Sequence, residues 1–208
     1  MAGKRSWIFL LIISIIAALY FSIKVALKGT FWVDETIANF FAHTPKSFIP
    51  FFKYLTEMGD KIGIVIVALL MLLWLLIFRK NYVGSAALAL SLAIGNEVSK
   101  FLKDYFVRPR PNLEHLVHVT SYSYPSGHAM VGMIVYFFIA YLLIETINSK
   151  AWKWIVGLLA AVLLLLIGAS RIILHVHYPS DVLGGYALGF IWVSIWILLY
   201  KKFRVRLK

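Results

Sequence analysis

Long apolar runs separated by short polar clusters dominate the chain. A helix needs about 20 mostly apolar residues to cross the hydrocarbon core of a bilayer. Six segments meet that requirement: residues 7–27, 62–78, 83–102, 129–147, 154–174 and 182–200. The third is the least apolar, carrying Asn96, Glu97 and Lys100 towards its end, which places that end at the surface or against a polar cavity. Residues 29–61 are too polar, and too interrupted by Pro45 and Pro50, to cross. Their aromatic residues suit either an amphipathic segment lying on the membrane or an ordinary packed helix. The first apolar run outlasts a signal-peptide core, and no small-residue cleavage site follows it, so it reads as a retained span. The pattern therefore predicts an all-α polytopic membrane protein, a bundle of six transmembrane helices. It forms one domain over residues 1–208, with a motif-bearing core at about 83–200 and a surface segment at about 29–61.

Composition agrees: 62% of the residues are hydrophobic and 14% charged, against roughly half and a quarter in soluble domains. The net charge of +12 then belongs to loops and ends, where anionic lipid headgroups are the natural counterpart. No basic arm with base-stacking aromatics is present, so nucleic acid is not an expected partner. The absence of cysteine excludes disulfides and thiolate metal sites. If the N-terminus is cytoplasmic, Lys4, Arg5, Arg79, Lys80, Lys150, Lys153, Lys201, Lys202, Arg204, Arg206 and Lys208 face inward, with Glu145 as the accompanying acid. The totals of Lys and Arg barely separate the two sides, but these compact clusters favour both termini inside a plasma membrane.

Three polar stretches then fall on one face of the alternating bundle, the outward one. They are 103–111 after the third run, 124–128 before the fourth, and 170–181 between the fifth and sixth. Lys103, Arg110 and Arg171 supply charge suited to phosphate oxygens. Ser126 and Gly127 stand where a helix begins, and a hydroxyl there adds to unpaired amides and a positive helix end. His177 can attack phosphorus through one ring nitrogen if the other donates to Asp181, four residues on. His128 is then the candidate acid for the leaving oxygen, and afterwards the base that activates water.

The pattern Lys-x6-Arg-Pro, Pro-Ser-Gly-His and Ser-Arg-x5-His-x3-Asp resembles the type 2 phosphatidic acid phosphatase family. That family includes bacterial phosphatidylglycerophosphatases, undecaprenyl diphosphate phosphatases and, more distantly, vanadium haloperoxidases. Lys103, Arg110 and Pro111 match the first motif, Pro125 to His128 the second, and Ser170, Arg171, His177 and Asp181 the third. The resemblance implies a histidine nucleophile, no metal or other cofactor, and a helical core shared with soluble relatives. The expected partner is a membrane lipid phosphate, reaching the site sideways from the outer leaflet.

Other polar residues read more plainly. Arg108 has no motif role and is expected at the surface or on a headgroup; His175 is expected to be structural. Asn96 and Glu97 line a cavity or bond a neighbouring helix. Glu114, His115 and His118 have the look of metal ligands, joined by His177 and Asp181, but fall short of a defined zinc set. A Ser126–His128–Asp181 hydrolase lacks the nucleophile elbow and leaves the cations without purpose. A phosphotransferase on the same scaffold, or a headgroup-binding flippase, remain the alternatives to hydrolysis.

Overall fold

The computed structural model describes residues 2–206, which are built of helices with no strand among them. Lys208, and the side chains of Lys4 and Arg206, lie outside the described residues. Helix α1 (Ala2–Ala26) is followed by α2 (Trp32–Ala42), a 3-10 turn at Lys46–Phe48, α3 (Ile49–Thr56) and a second 3-10 turn at Glu57–Gly59. Five long helices complete the chain: α4 (Lys61–Ile77), α5 (Tyr82–Phe106), α6 (Gly127–Thr146), α7 (Lys150–Ile173) and α8 (Pro179–Arg206).

Each apolar run of the sequence lies in one of the long helices, but not all six have the composition of a span. Helices α1, α6, α7 and α8 are long and apolar enough to cross a bilayer. Helix α4 qualifies together with Lys46–Gly59, from which it bends by 52°. Helix α5 falls short because Asn96, Glu97, Ser99, Lys100 and Lys103 interrupt its second half. By length and composition alone, four helices qualify, or five with the bent pair, where six spans were expected. Large apolar side chains stand exposed along α1, α4 and α7, among them Phe9, Ile16, Leu70, Leu73, Leu158 and Leu165. An apolar exterior of this extent is what a hydrocarbon solvent requires.

Helices α6 and α8 form the centre, and glycine sets their separation. A Cβ at Gly185 would stand 2.8 Å from Ser126 O, and one at Gly189 would stand 2.6 Å from Met130 O. This spacing of four brings two membrane helices into backbone contact, where dispersion replaces the missing hydrophobic drive. The first turns of both helices therefore meet, and Asp181 and Ser126 meet with them. At the same end, Ser22 on α1 bonds Tyr124 at 2.9 Å. At the opposite end, Tyr200 on α8 bonds Asn81 before α5 and Glu145 on α6, both at 3.1 Å.

Segment 29–61 divides its two faces. Phe31 and Thr56 are buried against the bundle, while Trp32, Phe40 and Tyr54 are exposed. Helix α2 rests on α7 and α8, and α3 rests on α7.

Helix α7 ends without glycine. His175 takes φ of 59°. Its amide bonds Ile172 O at 3.0 Å, while the Val176 amide bonds Arg171 O at 3.1 Å, closing a Schellman motif. The reversal sends Val176 and His177 inward beside Arg171. Since a β-branched side chain resists left-handed backbone, His175→Val should lose about 1–2 kcal/mol of stability. His175→Gly, which relieves the left-handed strain but gives up the side-chain bond to Glu114 O, should lose less; thermal unfolding in detergent measures both.

Candidate active site

The ends of α5, α6, α7 and α8 and the loop between α5 and α6 converge at one end of the bundle. Lys103 is buried in the last turn of α5 and donates to Tyr122 O at 2.7 Å. The helix stops at Val107, whose φ is 48°, and the loop closes on itself where Ser123 N donates to Arg108 O at 2.9 Å. Arg110 donates through Nε to Ser121 O at 2.8 Å and through Nη1 to Val176 O at 2.5 Å. Those two carbonyls leave Nη1 3.5 Å from Nε2 of His177. Ser126 is the N-cap of α6 and is fully buried; its amide donates to Asp181 O at 3.0 Å. Gly127 opens the helix beside Lys103 and Ser99, whose nearest atoms would be 3.8 Å from a Cβ there. Arg171, in the last turn of α7, is buried and donates from Nη1 to Thr56 Oγ1 at 2.7 Å.

His177 follows the α7 reversal, and Asp181 lies in the first turn of α8. Nδ1 of His177 is 3.4 Å from Asp181 Oδ2 and 3.4 Å from Ser123 Oγ, long contacts that still fix the ring's orientation. Ser123 Oγ itself donates to Asp181 Oδ2 at 2.5 Å, and the Tyr178 amide donates to the same oxygen at 2.9 Å. The ring thus points Nδ1 at the carboxylate and Nε2 at Arg110. Burial first, then the charges of Lys103, Arg110 and Arg171, push His177 well below the ordinary histidine range. The neutral, nucleophilic form of the ring is the favoured one.

His128, one residue into α6, lines a cavity of about 560 Å³ between α4 and α5. Lys103, Gly127, Asn96 and Lys100 share its wall, with Ile64 and Leu92 on the apolar side. The His128 ring lies against the second 3-10 turn: a Cβ at Gly59 would come 2.9 Å from its Cδ2.

All the candidate residues read from the sequence, His177, His128, Asp181, Lys103, Arg110, Ser126, Gly127 and Arg171, gather at this end. Others were missed. Ser123, Thr56, Gly59 and Asp34 carry no periodic or motif signal. Arg108 departs from the expected surface cation: Nη1 bonds Asp181 Oδ1 at 2.5 Å and Ser180 Oγ at 2.8 Å, and Nη2 bonds Asp34 Oδ2 at 2.8 Å. His175 turns away and bonds Glu114 O at 3.1 Å, while His115 bonds Pro111 O at 3.1 Å. Among the described residues, Glu114, His115 and His118 do not converge with His177 and Asp181 as a ligand set. Asn96 reaches the cavity wall, whereas Glu97 is exposed and bonds Lys100 at 2.7 Å.

A model of the PAP2 superfamily matches residues 84–204. The chain belongs to the PAP2 superfamily. The matched region holds every candidate site residue, so Thr56, Gly59 and Asp34 are additions from outside it. Phosphatidylglycerophosphatase B of Bacillus subtilis is 40% identical over 115 residues, covering 54% of this chain and 55% of that protein. An undecaprenyl-diphosphatase of Sulfolobus acidocaldarius is 34% identical over 137 residues, covering 58% and 56%. The chain thus spans about half the length of these curated relatives. The crystal structure of a transmembrane PAP2-type phosphatidylglycerolphosphate phosphatase from Bacillus subtilis superposes with a TM-score of 0.80 at 29% identity, covering 94% of this chain and 97% of that one.

The electrostatics of this PAP2 site carry a sign that can be measured. Histidine NMR in detergent should find His177 neutral as pH falls through its ordinary value of about 6.5. Lys103→Met removes a charge that opposes protonation, so the pKa of His177 should rise in that variant. Protonation at the ordinary value in the parent would contradict the arrangement.

Proposed function

We propose that the chain is an integral membrane lipid phosphatase that works through a phosphohistidine on His177. The observation that carries this reading is a pair of buried polar atoms left without partners among the described residues: Ser126 Oγ and Arg171 Nε. An orphaned buried donor costs about 1–3 kcal/mol, so two at one site mark a place built for a ligand. Both belong to the residues expected to hold phosphate. A phosphoryl group between the α6 N-terminus and Arg171 would satisfy both, with Lys103 and Arg110 at its remaining oxygens.

The steps follow from the groups in place. Nε2 of His177 attacks phosphorus as the bond to the lipid oxygen breaks, and His128 gives its proton to that oxygen. The Nδ1 proton stays directed at Asp181, which stabilises the ring's new charge. Water then attacks the phosphohistidine while His128 takes its proton, releasing inorganic phosphate and restoring both rings. Phosphoryl transfer asks chiefly for positioning and charge, which this chain's own side chains supply.

The cavity between α4 and α5 supports sideways access. Ile64, Val65 and Leu92 suit an acyl or prenyl tail, and the polar end reaches Lys103, Gly127 and His128. Six membrane crossings, with α4 and α5 counted as spans, both termini cytoplasmic and the site outward, complete the proposal. Phosphatidylglycerophosphate, undecaprenyl diphosphate and phosphatidate are the substrates to test, the first two being those for which relatives are named.

Phosphate release should be measured over that panel in mixed micelles. At least one lipid should be hydrolysed, and vanadate should inhibit. His177→Ala should lose about 10³-fold or more of kcat and His128→Ala about 10²–10⁴-fold, with folding retained. A near-normal rate in His177→Ala would sink the phosphohistidine route.

A further inference from the structure

We propose that Asp34 and Arg108 are positioning residues of the reaction: Asp34 fixes Arg108, and Arg108 fixes the carboxylate of Asp181 that orients His177. The inference rests on the phosphohistidine reading for its chemistry, though not for its geometry. Asp34 lies in α2, outside the region matched to the family, and Arg108 stands between two motif residues without being one.

Asp181 has no exposed surface. An ionised carboxylate in such a place needs a cation or it takes up a proton. Among the described residues, the permanently charged group paired with it is Arg108, at 2.5 Å from Oδ1. By holding Oδ1, Arg108 turns Oδ2 toward Nδ1 of His177, with Ser123 and the Tyr178 amide on the same oxygen. The pairing keeps Asp181 an acceptor. His177 is thereby held in the tautomer that carries its proton on Nδ1 and leaves Nε2 free to attack.

The guanidinium of Arg108 is committed to protein groups. Its guanidinium lies 4.3 Å from the centre of the Tyr178 ring and 5.2 Å from that of Phe31. Its terminal nitrogens are bonded to Asp181, Ser180 and Asp34, and its side chain is 13% exposed. Arginine suits this position because a planar fork can bridge two carboxylates while its faces stack, which an ammonium cannot do. Asp34 has a second task. Oδ1 accepts from the Ser180 amide and Oδ2 from the Ser180 hydroxyl, both at 2.8 Å. A carboxylate from a distant helix therefore caps the first turn of α8, the turn that carries Asp181.

The test uses the full chain in detergent, with a short-chain phosphatidate as substrate. Arg108→Gln should lower kcat by about 10- to 100-fold while KM stays within about threefold. Arg108→Lys should recover little of it. Asp34→Asn can still accept from Ser180 but no longer holds Arg108 by charge. It should therefore lose kcat while its melting temperature stays near the parent's. Nitrogen-15 NMR of the histidine rings reports orientation apart from turnover: the Nδ1–H form of His177 should dominate in the parent and become mixed in Arg108→Gln. A raised KM with unchanged kcat would make Arg108 a headgroup ligand and overturn the proposal. So would an unchanged tautomer, or kcat losses that only follow melting temperature. A parent that releases no phosphate from phosphatidate, phosphatidylglycerophosphate or undecaprenyl diphosphate, with the tautomer change still observed, would refute the functional reading and leave the positioning role standing.

Discussion

A carboxylate withdrawn from solvent must be compensated where it lies, and Asp181 is the group at which that constraint is sharpest. Its donors come from separate parts of the chain. Arg108 and Ser123 belong to the loop after α5, the Tyr178 amide to the turn before α8, and the His177 ring to the reversal after α7. The same loop carries Arg110, and the Asp181 carbonyl receives the amide of Ser126. Compensating one charge therefore brings the candidate phosphate-binding residues and the candidate nucleophile, His177, into register. The glycine-mediated contact of α6 with α8 makes this possible, because it sets the first turns of those helices side by side.

The cations around this centre are distinguished by what already occupies their donors. Arg108 is taken up by protein acceptors and aromatic faces. Arg171 is held by Thr56 at one nitrogen and leaves Nε unpartnered in a buried place. Arg110 is anchored by the backbone carbonyls of Ser121, Val176 and, more loosely, Tyr122, which aim the fork without neutralising it. A saturated guanidinium is part of the scaffold, while an anchored but charged one is free to meet an anion.

Much of this was legible in the sequence, and what was not has physical reasons. The motif residues could be found because polar groups at the ends of apolar runs are expensive and fall at fixed spacings. The long helices could be found because hydrocarbon demands unbroken apolar length. Helix α5 was the hardest to read as a span, since Asn96, Lys100 and Lys103 in its second half line the cavity. The stops at Val107 and His175 were hidden because left-handed residues usually announce themselves as glycine. Asp34, Thr56 and Gly59 were hidden for another reason. They lie in a short, aromatic-rich segment whose inner face is defined only by what docks against it. Arg108 was misread because a cation at a helix end is ordinarily solvated, and nothing local reveals an acid 74 positions away in the chain.

That separation also bears on when the site comes into being. Asp34 and Ser180 are 146 residues apart, and Thr56 and Arg171 are 115 apart, so the contacts that complete the site are among the most non-local in the molecule. Closing such distances is slow relative to forming the helices themselves. A chain emerging residue by residue holds the N-terminal wall long before it holds α8. Until the last helix arrives, Asp34 has no turn to cap and Asp181 does not yet exist. The network that joins Asp34, Arg108 and Asp181 therefore forms only once α8 has been made, however early the helices before it have folded.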